Sequence, residues 1–246
     1  MNIVLFKETE IDKPLKKGDE RFEHCIKILK KKSGDTFDAG IIGGMAGKAL
    51  IKSLDENQMT FSFEPLTDGK KLYPLTMIIG FPRPIQLKRL FRDMAGLGVE
   101  RILLCGTELG EKSYMKSDLV NDGTAERLLL EGCVQAASTH IPELKKYETV
   151  RESLLSIKKS EDTHLILLDN INPECALSGF LGKIEFTENT RIVAAIGSER
   201  GWTDSERAMF KKAGFTLCSM GSRILRTETA STVAASIILD RMGVLK

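Results

Sequence analysis

RIVAAIGSERGWTDSERAMFKKAGFTLCSMGSRILRTETASTVAASIIL, residues 191–239, is the stretch whose reading decides the fold. Its first loop, Gly197-Ser198-Glu199-Arg200-Gly201, follows the apolar run Ile192-Val193-Ala194-Ala195-Ile196. Glycine lets the main chain turn sharply and lets a ligand approach bare backbone N–H groups. Thr203-Asp204-Ser205-Glu206 then has the S/T-x-x-E form of a capping box, so a helix is expected to start there. A second loop, Ser219 to Arg226, follows the strand-like run Phe215-Thr216-Leu217-Cys218. Thr227 is expected to cap the next helix, whose first turn carries Glu228, the charge sign that favours a helix N-terminus. Strand, glycine loop and helix, twice over, describe an α/β protein with a ligand crevice at the carboxyl ends of its strands.

The same alternation extends toward the N-terminus. Leu75–Gly80, Arg101–Cys105 and Leu165–Leu168 read as strands, and Pro84–Leu97 and Asn121–Ala137 as helices, with Asn121 as a cap. Such a pattern indicates a parallel sheet covered on both faces. Before the linker Pro65–Lys71 the character changes. Val4–Phe6, Thr36–Ala39, Lys48–Ile51 and Met59–Phe63 are short strand-like runs, and Asp19–Lys32 has apolar Phe22, Cys25, Ile26 and Leu29 at helical spacing. A small β-barrel with one helix is expected there, with a domain boundary near residue 70. The glycine-rich run Gly40–Ala49 fails as a phosphate loop, which would need glycine at Ile42 and a hydroxyl at Ala49, and reads as a hairpin turn. No G-x-G-x-x-G follows a strand, which argues against a dinucleotide site.

Composition narrows the class. With 246 residues, 42% hydrophobic and 28% charged, the chain can bury a full core. No apolar run approaches a membrane span, and the start MNIVLFKETEID lacks the basic lead and cleavage site of an export signal, so a cytoplasmic protein with no membrane partner is expected. Five cysteines without a C-x-x-C spacing indicate neither a disulfide framework nor a metal site, and buried thiols are expected. The net charge of +2 is modest for a nucleic-acid partner, but Lys30-Lys31-Lys32 and the group Arg83, Lys88, Arg89 and Arg92 are local basic patches.

The exact wording of the two loops says more. Met220-Gly221-Ser222-Arg223-Ile224-Leu225-Arg226-Thr227-Glu228-Thr229-Ala230 resembles the L-G-x-R-I-L-R-x-E-T-A hallmark of the RsmE family of ribosomal RNA methyltransferases, within the SPOUT superfamily, departing at Met220. The family's G-P-E-G-G-[FW]-[ST]-x-x-E loop is matched at Gly197, Glu199, Gly201, Trp202, Thr203 and Glu206, with Ser198 and Arg200 in place of proline and glycine. Leu97–Ile102, residues 106–113 and 131–143 are similar to further family stretches, with Lys112 and Ser138 where arginine is usual, and His24–Lys30 partly matches an H-x-x-x-V-L-R stretch.

The resemblance implies a SPOUT-type, trefoil-knotted α/β methyltransferase domain over 71–246 behind a PUA-like β-barrel RNA-binding domain over 1–70. It implies S-adenosyl-L-methionine as cofactor, a homodimer, and ribosomal RNA or the small ribosomal subunit as partner. Carried over, Leu168, Asp169, Gly197, Glu199, Gly201, Met220, Gly221, Ile224 and Leu225 would line the cofactor. Arg223 and Arg226 would offset negative charge on the reacting uracil, with Glu199 also at the reacting centre. His24, Lys30, Arg83, Arg89 and Arg200 are the candidate RNA contacts, and Arg200 is expected to face the RNA entrance, because a cation beside a sulfonium is unfavourable. The family reaction is methylation of a uridine N3 in 16S ribosomal RNA. Methylation at another RNA position, and an RNA-binding protein without catalysis, remain open alternatives.

Overall fold

The computed structural model describes residues 2–120 and 122–245. Two compact units emerge, residues 1–71 with 130–141, and residues 72–129 with 142–246.

The first unit contains β1 (Val4–Phe6), β2 (Leu15–Lys16), α1 (Glu20–Glu23), β3 (Thr36–Ile41), β4 (Ala46–Leu54) and β5 (Gln58–Thr67). Its strands pair in the order β1-β3-β4-β5-β2, antiparallel except for β1 on β3. Among the described residues the sheet is a curled half-barrel with β1 and β2 as its edges, which meets in part the small β-barrel expected from the sequence. Register shifts in β4–β5 at Ala46/Gly47 and Ile51/Ser53 supply local bends, and Phe6, Phe22, Phe37, Ile51 and Met59 fill the core. The run Gly40–Ala49 forms the β3–β4 hairpin, its turn closed by Gly44 N–H donating to Ile41 O.

The helix expected over Asp19–Lys32 is shorter. After α1 the chain widens into a π-helical turn over His24–Ile28, with Leu29 N–H reaching back to His24 O, and Lys30 ends it at φ 52°. A non-glycine residue in the left-handed region is uncommon. His24 Nε2 is buried with no partner among the described residues, and desolvation holds the His24 pKa below its ordinary value. The folded chain therefore takes up this proton less readily than the unfolded one, so the His24 contribution to stability is complete above about pH 6.5 and is lost as pH falls through the lowered pKa. His24→Asn is expected to lessen the drop in melting temperature between pH 7.5 and pH 5.5. Equal drops in variant and parent would refute this.

Residues 130–141 belong to this unit because Thr139 clasps the hairpin turn. Gly43 N–H donates to Thr139 O at 2.8 Å, and Thr139 Oγ1 donates to Gly44 O at 2.7 Å. Ser138, in place of the family's arginine, is buried and bonds Lys70 O at 3.3 Å. A division at residue 70 cannot represent this return of the chain.

The second unit contains β6 (Tyr73–Gly80), α2 (Pro84–Leu97), β7 (Val99–Cys105), α3 (Thr124–Ala136, its second half counted with the first unit), β8 (Glu143–Tyr147) and α4 (Val150–Leu155). It continues with β9 (Thr163–Leu168), β10 (Cys175–Ala176), α5 (Leu177–Leu181), β11 (Arg191–Ile196), α6 (Asp204–Lys212), β12 (Thr216–Ser219) and α7 (Thr227–Arg241). The seven strands are parallel, ordered β10-β12-β9-β11-β6-β7-β8. Central strands are apolar on both faces, as in residues 77–79, 102–105 and 192–196, because helices cover both sides. On one side Phe210 of α6 and Val150 of α4 join Ile78, Leu103, Leu167 and Val193 in a core, while α7 lies on β6 and β11 with α2 and α5 beside it.

The expected cap Asn121 lies outside the described residues. Ahead of α3, Asp122 Oδ1 accepts from Thr124 N–H at 2.9 Å. All five cysteines are free, four of them buried. Cys175 is half-buried, its Sγ 3.7 Å from Cys218 Sγ across the β10–β12 pair. No helix among the described residues is long and apolar enough to cross a membrane.

Candidate functional site

The neighbouring parallel strands β12, β9 and β11 end side by side, with Leu168 in register with both Ile196 and Cys218. Their following loops therefore converge at one point of the sheet edge, where crevices form in open α/β sheets. A cleft opens there, lined from the loops by Asp169, Gly197, Glu199, Met220, Arg223 and Leu225.

The first loop is tight. Gly201 N–H donates to Ser198 O at 2.9 Å, and Gly201 sits at φ 70°. A Cβ on Gly197 would lie 2.9 Å from Gly201 Cα, so the two glycines let the turn fold back on itself. Ser198 is buried, and its hydroxyl meets that of Thr107 at 2.9 Å. Where the resembling family has the fixed φ of proline, this chain holds the loop by a bond to its neighbour.

Trp202 carries the loop into the core. It is 2% exposed, stacks edge-on against Phe210, and donates from Nε1 to Leu168 O at 3.2 Å. The Leu168 carbonyl is thus engaged by the protein itself. Thr203 caps α6 with Glu206 as reciprocal partner, as the sequence indicated. Glu206 does more, because its second oxygen accepts from Glu108 N–H at 2.8 Å and so ties the loop after β7 to the start of α6. Glu108 in turn accepts from Thr203 and Ser205 hydroxyls, first Ser205, which holds its pKa below the usual carboxylate range.

Asp169 lines the cleft, but its carboxylate faces Arg207 of α6, which bonds it through Nε, and it also accepts from Ile171 N–H at 3.1 Å. That pair is largely buried and raises the Arg207 pKa, the Asp169 hydrogen bond being the main cause. Glu199 is exposed, and its Oε1 accepts from Arg83 N–H at 2.8 Å, just ahead of α2. That helix has no side-chain cap of its own, so Glu199 supplies an anion at its N-terminus.

The second loop differs from expectation at Thr227. Arg226 occupies the N-cap of α7 without a side-chain bond, and Thr227 is the first helical residue. Its buried hydroxyl donates to Gly197 O at 3.2 Å and clamps α7 to the first loop. Arg223 and Ile224 lie on the cleft, Ile224 85% exposed. Gly221, at φ 106°, and Arg226 are exposed and are not among the lining residues. Arg200 lines a separate notch with Arg83, Tyr114 and Glu199. Arg89 is on the exposed side of α2, 3.4 Å from Asp93, and His24 and Lys30 lie in the first unit.

The structure therefore brings Leu168, Asp169, Gly197, Glu199, Gly201, Met220, Arg223, Ile224 and Leu225 to one cleft. Sequence reasoning missed Trp202, Thr227 and Ala230 in its walls, and Arg207 and Thr107 behind them. Trp202 and Thr227 stand inside the two motifs, so the signal was present for both. Arg207 carried none, since a helical arginine reads as a solvated side chain.

A model of the RNA methyltransferase domain matches residues 69–239. The chain is 41% identical to the ribosomal RNA small subunit methyltransferase E of Treponema pallidum (strain Nichols) over 97% of this chain and 91% of that one. It is 34% identical to ribosomal RNA small subunit methyltransferase E 1 of Borreliella burgdorferi (strain ATCC 35210 / DSM 4680 / CIP 102532 / B31), over 97% of each. Its fold is shared with the crystal structure of ribosomal RNA small subunit methyltransferase E from Neisseria gonorrhoeae bound to S-adenosyl methionine, at a TM-score of 0.77 and 21% identity, covering 98% of this chain and 97% of that one.

Proposed function

The chain belongs to the ribosomal RNA small subunit methyltransferase E family, and on that premise we propose that it methylates N3 of a uridine in 16S, small-subunit ribosomal RNA, with S-adenosyl-L-methionine bound in the strand-end cleft. The observation that carries the cofactor assignment is the convergence of three strand-end loops on a cleft whose walls combine glycine and the apolar side chains of Ile196, Met220 and Leu225 with the polar side chains of Asp169, Glu199 and Arg223. Such walls suit an adenosine and an aliphatic sulfonium. Arg223 is the one lysine or arginine among the lining residues, and it is exposed at the rim, so a cationic donor meets no buried cation there.

When bound, S-adenosylmethionine supplies an electrophilic methyl group on sulfur. The chain's own part follows from its side chains. A uridine N3 is a poor nucleophile while protonated, so the site must favour loss of that proton and offset the charge left on the ring. Glu199 borders both the cleft and the notch and offers a carboxylate oxygen beside the one bonded to Arg83. Arg223 offers the compensating positive charge, with Arg226 three residues on as a second cation at the start of α7. Holding the reactants in near-attack geometry can supply roughly 7 to 11 kcal/mol of the acceleration.

With this reading go a trefoil-knotted path, a PUA-like RNA-binding role for the first unit, a homodimer and a cytoplasmic location. Support for the knot is topological: β12 inserts between β9 and β10, and α7 is bonded back to the loop after β11.

Nucleoside mass spectrometry of ribosomal RNA from cells with and without the gene is the test. Loss of 3-methyluridine from small-subunit RNA is expected, and an unchanged level would refute the assignment. Arg223→Ala is expected to lower the methylation rate on purified subunits by 100-fold or more, since removing one charge-stabilising donor costs about 10²–10³ in rate, while cofactor binding by calorimetry stays within a few-fold.

A further inference from the structure

Beside the cofactor cleft is a larger groove of about 1010 Å³, formed by the loops after β7 and β8 and the start of α6. Its floor is apolar, with Phe81, Met115 and Val150 buried. Its rim carries Lys112, Lys116 and Arg151, all exposed and without an ion pair among the described residues. A notch of about 130 Å³ borders both spaces. It shares Gly110 and Glu111 with the groove and Glu199 with the cleft, and Tyr114 is its half-buried ring.

We propose that this groove binds the single-stranded RNA flanking the methylated base, with unstacked bases over the apolar floor and phosphates on Lys112, Lys116 and Arg151. The inference rests on the methyltransferase reading above and assigns the substrate a path that the cofactor loops do not define. The cavity is at the upper end of the range for small-molecule pockets, about 300 to 1,000 Å³, which exceeds what one base needs. Unstacked bases held on apolar and aromatic surfaces, with the backbone on basic side chains, are the usual mode of single-strand recognition.

The groove also carries four carboxylates, Glu108, Glu111, Glu148 and Glu206. Glu206 accepts main-chain N–H groups with both oxygens, Glu108 accepts from Thr203 and Ser205, and Glu111 accepts from the Ser113 hydroxyl at 3.1 Å. These bonds turn three of the four anions onto the protein. Lys146 is likewise held, donating to Met115 O at 2.8 Å and bracing the floor. Glu148 is the anion left on the rim, so neutralising it should strengthen RNA binding.

The test uses the full chain and a fluorescein-labelled single-stranded uridine-rich RNA of about ten nucleotides, with affinity read by anisotropy across salt concentrations. Lys112→Glu/Lys116→Glu is expected to weaken binding at least tenfold and to lower the slope of log affinity against log salt by about 1.4, two contacts at about 0.7 each. Lys183→Glu/Lys212→Glu, with the same charge change outside the groove, is expected to weaken it less than threefold. Lys112→Arg/Lys116→Arg should retain affinity, and Glu148→Gln should raise it. Equal losses from the two reversal pairs, or an unchanged affinity, would overturn the proposal. Titration of the unaltered chain with S-adenosylmethionine is run alongside. Absent heat there would count against the cofactor reading, while the RNA comparison would still decide the groove.

Discussion

Alanine at Gly80 is expected to dislodge the cofactor loop and weaken S-adenosylmethionine binding more than tenfold. Gly80 ends β6, and a Cβ there would lie 2.4 Å from Ser198 N, 2.8 Å from Thr107 Cγ2 and 2.9 Å from Gly197 C. Two of those atoms are backbone of the first glycine loop, so no rotamer change relieves the clash. The third belongs to Thr107, whose hydroxyl holds Ser198, and rotating it would break that buried bond. Overpacking of this kind costs about 1 to 3 kcal/mol. The least costly relief is for residues 197–201 to lift from the sheet, taking the Trp202 anchor and the Thr227 clamp with them. Calorimetric titration with S-adenosylmethionine should show the loss. Gly96→Ala is the control, because nothing lies within 4 Å of a Cβ at that position in α2. There alanine is expected to be neutral or to stabilise by about 1 kcal/mol, as it does in helix interiors. Parental cofactor affinity in Gly80→Ala would show that the loop does not depend on this close approach.

What could be read from the chain beforehand follows from which interactions are local. The bounds of α2 were legible because Pro84 suits the first helical turn and Gly98 ends the helix in the left-handed region. The core runs of β9, β11 and β12 were legible from apolar content, and the capping box of α6 from four consecutive residues. The strand β8, ELKKY, was not legible. It is an edge strand paired on one side only, and its alternation of burial is weak. The π-helical turn at His24 was hidden because apolar spacing near four residues fits either helix type. Above all, contacts between distant segments leave no trace in one sequence. Thr139 on the β3–β4 turn, Thr107 on Ser198 and Glu206 on Glu108 join residues about 90 to 100 positions apart. Within the site, the motif residues were therefore visible and the side chains that hold them were not. Thr227 shows the difference, since its hydroxyl fits a cap by position but is used on Gly197 O because the first loop comes within reach.

The contact between Asp169 and Arg207 is expected to be the costliest side-chain pair to break in the second unit. Arg207 is 12% exposed at its side chain and Asp169 6%, and Asp169 N–H donates to Cys218 O at 3.0 Å, so the pair sits where β9 and β12 end. Truncating one partner of a buried pair leaves the other charged and desolvated, at a cost of about 3 to 5 kcal/mol. Asp169→Ala leaves Arg207 with Asp204, whose side chain is fully exposed and cannot offset the desolvation. Removing both charges is a different matter, because replacing a buried pair with apolar groups is often neutral. Asp169→Ala/Arg207→Met is therefore expected to recover most of the stability lost by Asp169→Ala, giving a coupling energy of about 2 kcal/mol or more in urea unfolding. The exposed pair Arg89–Asp93 on α2, at 3.4 Å with Arg89 75% exposed, sets the scale for a solvated ion pair, at most about 0.5 kcal/mol in the same cycle. If the two cycles return equal couplings, the buried pair is no more than a surface contact. If they differ as expected, the strand-end loops are held by charge on one side and by Trp202 on the other, and cofactor affinity should fall in Asp169→Ala and return in part in the double variant.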